Sequence, residues 1–556
     1  MEKKLTDFVI LAVLDGWGIA PPGPGNAVLL ASTPNMKKFE ASYPHTSLFA
    51  SGESVGLPRG EPGNTETGHL NLGAGRIVYQ DLARINKAIA DGTFYENPTL
   101  LGAIDHAQKN NSDLHLMGLI GAGGVHSNIE HLYALLHLAA QKACKRVFIH
   151  IFTDGRDSPP TAAKTYIQQL RQVIQKEKVG EIASIMGRYW AMDRDLRWSR
   201  TAKAYFALTK GEGHLVKTPE EAIDLSYSQG KTDEFIEPSI ISSPEGKPKA
   251  LIKDNDAVIF FNFRIDRPRQ LTKAFIAKDF KASVAEWEFD PYAVKYEKKH
   301  EPVEKNSEQA FERGRYIENL FFVTMTEYEK HFTEYGAKVA FPPELVDVPL
   351  GRIISEANLR QLRVSESEKE RFVTIYFNGQ QNTVFPGEDR LIVPSPKVAT
   401  YDIKPEMSAK EMTQKVLDKI RVNNPYSFIL INYANPDMVG HTGNIGAAVN
   451  ACQVVDECVG KLASFTLAYN GTLLITADHG NVEEMISPHT GQIDTEHSEY
   501  PVPFIAVSRK FLGNPQALQS GILADIAPTI LYLLGLQKPE SMSGRNLLQN
   551  VSMNRG

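Results

Sequence analysis

Five apolar runs in this chain share one shape: continuous hydrophobic residues, rich in Val and Ile, that stop at acids, histidines or glycines. They are FVILAVLDG (8–16), RVFIHIFTDGRD (146–157), DAVIFFNFR (256–264), SFILINYANPD (427–437) and GTLLITADHG (471–480). Unbroken runs of this length read as strands buried on both faces, which means a parallel sheet covered by helices. Such a sheet places its chemistry beyond the strand C-termini, where the polar clusters fall. Between the runs lie helical patterns. In PEMSAKEMTQKVLDKI (405–420), Ser408 and Glu411 have capping-box spacing, and Met412, Val416 and Ile420 recur every fourth residue. LADIAPTILYLLGL (523–536) reads as another helix, with Gly535 near its end.

With 556 residues the chain is too long for one core, so two domains of unequal size, or three, are expected. The strand ends at 8–14, 427–433 and 472–477 share one chemistry, and those at 147–152 and 257–263 share another. A split domain with a second one inserted explains that grouping. The expected limits are 1–79 with 316–556 for the outer domain and 80–315 for the insert, with hinges near 78–82 and 310–318. Residues 295–315 are charged and poor in large apolar side chains, as a surface connection would be, and 237–250 reads as a polar loop.

Composition excludes several classes of function. The 60 basic against 66 acidic residues, a formal charge of −6, favour neither nucleic acid nor an anionic membrane as partner. Three irregularly spaced cysteines fit neither a disulfide scaffold nor a thiolate metal site, and suit a reducing compartment. The apolar run before Asp15 is too short to span a bilayer and has no small-residue cleavage site, so a cytoplasmic protein without a membrane segment is expected.

The first group of strand ends supplies Asp15, Asp437, His441, Asp478, His479 and, further on, His497. Oxygen and imidazole ligands without thiolates suit Mn²⁺ or Zn²⁺, and Mg²⁺ less well. Asp437 and His441 are four apart, so a helical turn puts both on one face. An aspartate after a strand often caps a helix and a histidine often only hydrogen-bonds, so the reading rests on three strand ends converging on one ligand chemistry. Six ligands exceed the need of one tetrahedral ion, and two ions beside a hydroxyl are a standard means of phosphoryl transfer. The hydroxyl expected there is Thr65, in EPGNTETGHLNLGAGR (61–76), whose glycines would then make room for a phosphate against the backbone.

The second group has a different vocabulary. GAGGVHSN carries His126, FTDGRDSPP carries Asp154, Arg156 and Asp157, GRYWAMDRDLRW carries Arg188, Arg194 and Arg197, and FFNFRIDRPRQ carries Arg264, Arg267 and Arg269. The guanidinium fork suits carboxylate and phosphate oxygens, so a small, doubly anionic substrate is expected. Arg197 and Arg269 are as readily structural as functional, since arginine beside aspartate is commonly an ion pair of little worth. Neither a phosphate-binding GxxxxGK[ST] loop nor a Rossmann fingerprint is present.

Taken together, NAVLLASTPN (26–35), GNTETGHLNLGAGR, DGRD, AMDRD, VAFPPE (339–344), the stretch from FNGQQNTVFPGEDR to KPEMSA (377–409), NPDMVGHTGN and TADHGNVEEM closely resemble the 2,3-bisphosphoglycerate-independent phosphoglycerate mutases. The resemblance runs from about residue 8 to about 545. It implies an α/β fold, with an alkaline-phosphatase-like doubly wound sheet domain and an inserted second α/β domain that binds substrate. It further implies one ion held by Asp437, His441 and His497, and another held by Asp15, Asp478, His479 and the nucleophilic hydroxyl of Thr65. Mn²⁺ is the expected ion, with Zn²⁺, Co²⁺ and Mg²⁺ as alternatives. Lys369 matches the family lysine that steadies phosphoryl oxygens, and His126, Arg156, Asp157, Arg188, Arg194, Arg264 and Arg267 match the substrate set. Arg264 and Asp157 join Thr65 and Lys369 as catalytic candidates, Asp157 as proton carrier.

The implied activity is interconversion of 3- and 2-phosphoglycerate through a phosphothreonine intermediate, an isomerase step of glycolysis and gluconeogenesis carried out by a monomer. One departure stands out: the family's GNSEVGH has serine where this chain has Thr65 and valine where it has Thr67. The added methyl restricts χ1 and leaves turnover, phosphoenzyme lifetime and substrate open. Because the rest of the apparatus is intact, mutase activity is the expectation, with Thr67 simply packing. The rival readings are a phosphomonoesterase or other phosphomutase on the same scaffold, and a non-catalytic phosphoglycerate-binding protein.

Overall fold

The structure, a computed structural model, describes residues 4–285 and 308–553. The chain divides into two compact units, Met1–Ala83 with Glu344–Gly556, and Arg84–Pro343. Sixteen strands are formed among the described residues. The first unit opens with β1 (Val9–Leu14) and β2 (His45–Phe49). The second contains β3 (Leu114–Ile120), β4 (Val147–Thr153), β5 (Glu181–Gly187), β6 (His214–Val216), β7 (Ser239–Ile241), β8 (Ala257–Phe260), β9 (Phe321–Thr326) and β10 (Lys338–Phe341). The chain then returns to the first unit with β11 (Arg360–Glu366), β12 (Glu388–Val393), β13 (Tyr426–Tyr433), β14 (Thr472–Thr476), β15 (Val502–Val507) and β16 (Gly521–Ile522).

The first sheet has the order β12-β11-β13-β1-β14-β15-β2-β16, and only β15 runs against its neighbours. β1 lies between β13 and β14 in parallel register, Val9 opposite Phe428 and Thr472. All six residues of β1 and all five of β14 are buried, as unbroken apolar runs require. The helices Ala409–Arg421 and Ile445–Ala468 cover the sheet with Met412, Val416, Ile420, Val455, Val459 and Leu462, which join one continuous core. The second sheet, β10-β9-β8-β3-β4-β5-β7-β6, is parallel from β10 to β5 and has its own core around Phe152, Trp198, Phe260 and Phe275. No helix among the described residues is long and apolar enough to cross a membrane.

Three expectations need correction. The insert does not end near 315: β9 and β10 pair onto β8 in the second sheet, so the division falls at Pro343/Glu344. Of the charged segment at 295–315, residues 295–307 lie outside the described residues, and 308–315 form no helix or strand. The stretch 237–250 is not all loop, because Ile240 and Ile241 are buried in β7. Ser408 does precede its helix but makes no side-chain cap. Its hydroxyl donates to Pro394 O and its N–H to the buried Glu366 Oε1, so partners from other parts of the chain displace the local box.

The glycines around Thr65 also have a different cause from the one expected. Thr65–Ala74 is a helix, with Asn64 Oδ1 accepting from Thr67 N as its N-cap. A Cβ at Gly68 would lie 2.5 Å from Asp478 O, and one at Gly73 would lie 2.0 Å from Phe377 O. The space the glycines leave is filled by the protein's own backbone, which lets the helix press against the loop after β14. Helix propensity alone makes Gly68→Ala stabilising by about 1 kcal/mol. Because backbone cannot yield as a flexible side chain can, we expect a loss of about 1–3 kcal/mol instead. Urea unfolding followed by circular dichroism checks the sign: a lowered midpoint is expected, and a raised one would contradict the packing.

Candidate active site

The C-terminal ends of β1, β13 and β14 deliver the first cluster. Asp15 follows β1 directly; Gly16, at φ +76°, then turns the chain where a Cβ would lie 2.8 Å from Asp437 Cα. The short helix Asn435–Gly440 after β13 carries Asp437, with His441 at its C-cap, and the helical turn brings His441 Nε2 to 3.3 Å from Asp437 Oδ1. Asp478 and His479 follow β14, and His497 arrives on a later loop held near them by Glu483. This buried carboxylate accepts from Gly18 N and Asn481 N, each at 2.9 Å, and from the Ser498 hydroxyl. Thr65 opens its helix, where unpaired N–H groups and the helix dipole favour negative charge.

Three imidazoles are oriented in the same way. His441 Nδ1 lies 2.7 Å from Thr495 O, His479 Nδ1 3.1 Å from Gly480 O, and His497 Nδ1 2.8 Å from Gly63 O. A carbonyl can only accept, so each Nδ1 carries a proton and each Nε2 is the ring nitrogen turned toward the cluster. That is how metal-binding histidines are held in metalloproteins. The His441 Nε2, His497 Nε2 and Asp437 Oδ1 atoms form a triangle with edges of 3.2, 3.2 and 3.3 Å. Ligand atoms at about 2.1 Å from a shared ion lie roughly 3.0–3.4 Å apart. A second group has the same spacing: Thr65 Oγ1 is 3.0 Å from His479 Nε2 and 3.4 Å from Asp15 Oδ1, and those two are 3.3 Å apart.

Charge is unbalanced there. Asp15, Asp437 and Asp478 are all buried, and Lys369, on the turn Ser367–Lys369, reaches two of them at 2.8 and 2.7 Å and Thr65 Oγ1 at 2.9 Å. Neither oxygen of Asp478 accepts a well-aligned hydrogen bond, although His69 Nδ1 is 3.2 Å from Oδ2. Burial alone would raise the Asp437 carboxyl, but Lys369 and the contacts from His441 and His497 hold it well below the usual range. Burial would likewise lower His479, yet Asp478, Asp15 and Asp437 lift it to about 10, so near pH 7 its Nε2 holds a proton that a bound ion would displace. Deprotonated carboxylates, an orphaned acceptor and imidazole Nε2 atoms at ligand spacing fit two divalent ions. The contrast is the Asp113, His115 and Asp256 group beside β3. There Arg146, Lys253, His115 and backbone N–H groups already occupy the carboxylate oxygens, and His150 takes the other ring nitrogen.

The second unit assembles the arginine-rich set beyond β3, β4, β5 and β8. Arg188 is buried, with Nη1 at 2.5 Å from both Asp154 Oδ1 and Asp157 Oδ2. His126 lies between Asp157 and Asp266 at 3.8 and 3.7 Å; burial, and after it Arg188, push it down to about 3, so it is neutral near pH 7. Asp266 holds Arg194 at 2.7 Å and Arg264 at 3.0 Å. Arg267 donates to Met192 O, and burial followed by Arg188 and Arg194 lowers it to about 10. Arg156, Arg188, Arg197, Arg200 and Arg267 line one cleft of about 250 Å³, an excess of cationic donors suited to an anion. Arg269 is apart from this set, donating to Tyr328 O.

All six sequence-derived ligand candidates and Thr65 therefore meet in one cluster, and Lys369 joins them. His69, Asn432, Asn481 and Glu483 were missed, as were Asp266 and Arg200. Asn432 had a signal, an amide inside an apolar run. Thr67 does more than pack, since its hydroxyl donates to Asn64 at 3.2 Å in the cap of the nucleophile helix.

Comparison with known proteins agrees with this geometry. Residues 85–330 match the family model described as the BPG-independent PGAM N-terminus. The 2,3-bisphosphoglycerate-independent phosphoglycerate mutase of Moorella thermoacetica is 48% identical, over 97% of this chain and 98% of that protein. The protein of the same name from Thermomicrobium roseum is 49% identical, over 99% of each. Among solved structures, the phosphoglycerate mutase of Leishmania mexicana, determined at low cobalt concentration, superposes with a TM-score of 0.57 at 28% identity and 98% coverage of both chains. The chain belongs to the 2,3-bisphosphoglycerate-independent phosphoglycerate mutases.

Proposed function

We propose that this protein interconverts 3-phosphoglycerate and 2-phosphoglycerate, without 2,3-bisphosphoglycerate, through a phosphoryl group carried on Thr65. The observation that carries the reading is the position of Thr65 Oγ1. It accepts from Lys369 Nζ at 2.9 Å and sits at a helix N-terminus beside the Asp15 and His479 ligand atoms. One ion is assigned to Asp437, His441 and His497, the other to Asp15, Asp478, His479 and Thr65, with Mn²⁺ favoured over Zn²⁺, Co²⁺ and Mg²⁺. When bound, such ions polarise phosphoryl oxygens and lower the pKa of the attacking hydroxyl.

The chain's own residues do the rest. His126, Arg156, Arg188, Arg194, Arg264 and Arg267 bind the carboxylate and phosphate of the substrate. Thr65 Oγ1 forms a bond to phosphorus as the bond to the glycerate C3 oxygen breaks, and the C2 oxygen later takes the group back, releasing Thr65. Lys369 offsets the charge that develops on the phosphoryl oxygens. Asp157, fixed by Arg188, carries the proton between the two glycerate oxygens. We place this activity in the cytoplasm, in a monomer; three buried free thiols suit a reducing compartment.

With Mn²⁺ and 3-phosphoglycerate, without bisphosphoglycerate, formation of 2-phosphoglycerate is expected; release of free phosphate instead would assign the protein to the phosphomonoesterases. Thr65→Ala should lower isomerisation by at least ~10³-fold and take up no ³²P from labelled substrate, while Thr65→Ser remains active. Labelling that persists in the alanine form would place the nucleophile elsewhere. Lys369→Met should cost on the order of 10²–10³ in kcat. A change confined to KM would remove it from the chemical step.

A further inference from the structure

His69 lies within 4.8 Å of Asp15 and Asp478 through candidate ligand atoms, which makes it a possible ligand by distance alone. Its hydrogen bonds say otherwise. Nδ1 is 3.0 Å from Thr65 O, the carbonyl of the proposed nucleophile, so Nδ1 carries the proton and donates to it. Nε2 therefore has the lone pair, and Asn432 Nδ2 donates to it at 3.1 Å. The same amide nitrogen donates to Asp15 Oδ2 at 2.7 Å. The opposite orientation of Asn432 would turn a carbonyl oxygen toward a carboxylate, so the assignment of its nitrogen follows from the partners. Both ring nitrogens of His69 are engaged, and both amide hydrogens of Asn432 are in use.

The geometry points to His69 and Asn432 as positioning residues for the ion beside the nucleophile. Asn432 occupies one oxygen of Asp15 and so turns the other, Oδ1, toward Thr65, His479 and Lys369. His69 fixes the orientation of Asn432, holds the main chain of Thr65 and stands 3.2 Å from Asp478 Oδ2. All of these groups are buried and lie on the helix Thr65–Ala74, β13, the turn Ser367–Lys369, and the loops after β1 and β14. The polar partners of His69 and Asn432 are Thr65, Asp15 and Asp478, none of which belongs to the Asp437, His441 and His497 set, so the pair bears on one of the two ions. The inference rests on the assignment of ions given under Proposed function.

Titration of the metal-free protein with Mn²⁺, read by calorimetry and by the electron paramagnetic resonance of free Mn²⁺, tests it without reference to activity. The wild-type chain should bind two ions. Asn432→Leu and His69→Leu should each weaken one step on the order of 10- to 100-fold and leave the other unchanged. His69→Gln, which keeps an acceptor for Asn432, should recover part of the affinity lost in His69→Leu. Two steps of wild-type affinity in Asn432→Leu would overturn the inference alone, as would equal weakening of both steps without rescue. A wild-type chain that binds fewer than two ions would refute the ion assignment, and this inference with it.

Discussion

Three carboxylates, Asp15, Asp437 and Asp478, share one buried pocket with a single ammonium, that of Lys369. Like charges this close inside a protein either take up protons or gather cations, because desolvation and mutual repulsion act together. Protonation is the disfavoured route, since Lys369 and the neighbouring imidazoles hold Asp437 and Asp478 below the usual carboxylate range against burial. Cations are the remaining route, and backbone carbonyls have already turned three imidazole Nε2 atoms toward them. The same excess of negative charge keeps Lys369 protonated and so keeps a positive charge beside Thr65 Oγ1.

The fold makes this concentration of charge possible by spreading its cost. Asp15, Asp437 and Asp478 follow three adjacent parallel strands whose interiors are largely apolar, so the charged groups gather beyond the strand ends. Thr65 is brought there by a helix whose Gly68 face lies against the backbone of Asp478. The nucleophile and the ligand loop are thus fixed by one contact between main chains, and glycine is the only residue that permits it. Asn432, buried in β13, completes the arrangement from within the sheet.

Much of this was legible in the sequence, and the failures are instructive. The apolar runs identified five strands because burial on both faces leaves few polar residues to interrupt them, His150 and Asn432 being the buried exceptions. Asp437 and His441 were readable as a pair because a helical turn is a local rule. Lys369 had no local signal; only the resemblance placed it, since its partners are 68, 304 and 354 residues away in sequence. The cap expected at Ser408 failed for the same reason, Glu366 being brought in by tertiary structure. The limit expected at 315 failed because a charged composition does not reveal which sheet the next strand will join. His69 was missed because its role lies in which atom it bonds rather than in its position along the chain.

The central claim is a paired-ion centre with the Thr65 hydroxyl as part of it. Anomalous scattering from a Mn²⁺-loaded crystal tests this most directly. The account predicts two peaks about 3.5–4 Å apart. One should be ringed by Asp437, His441 and His497, and the other by Asp15, Asp478 and His479, with Thr65 Oγ1 among its ligands. A single peak, or two with the Thr65 side chain turned away from both, would contradict it.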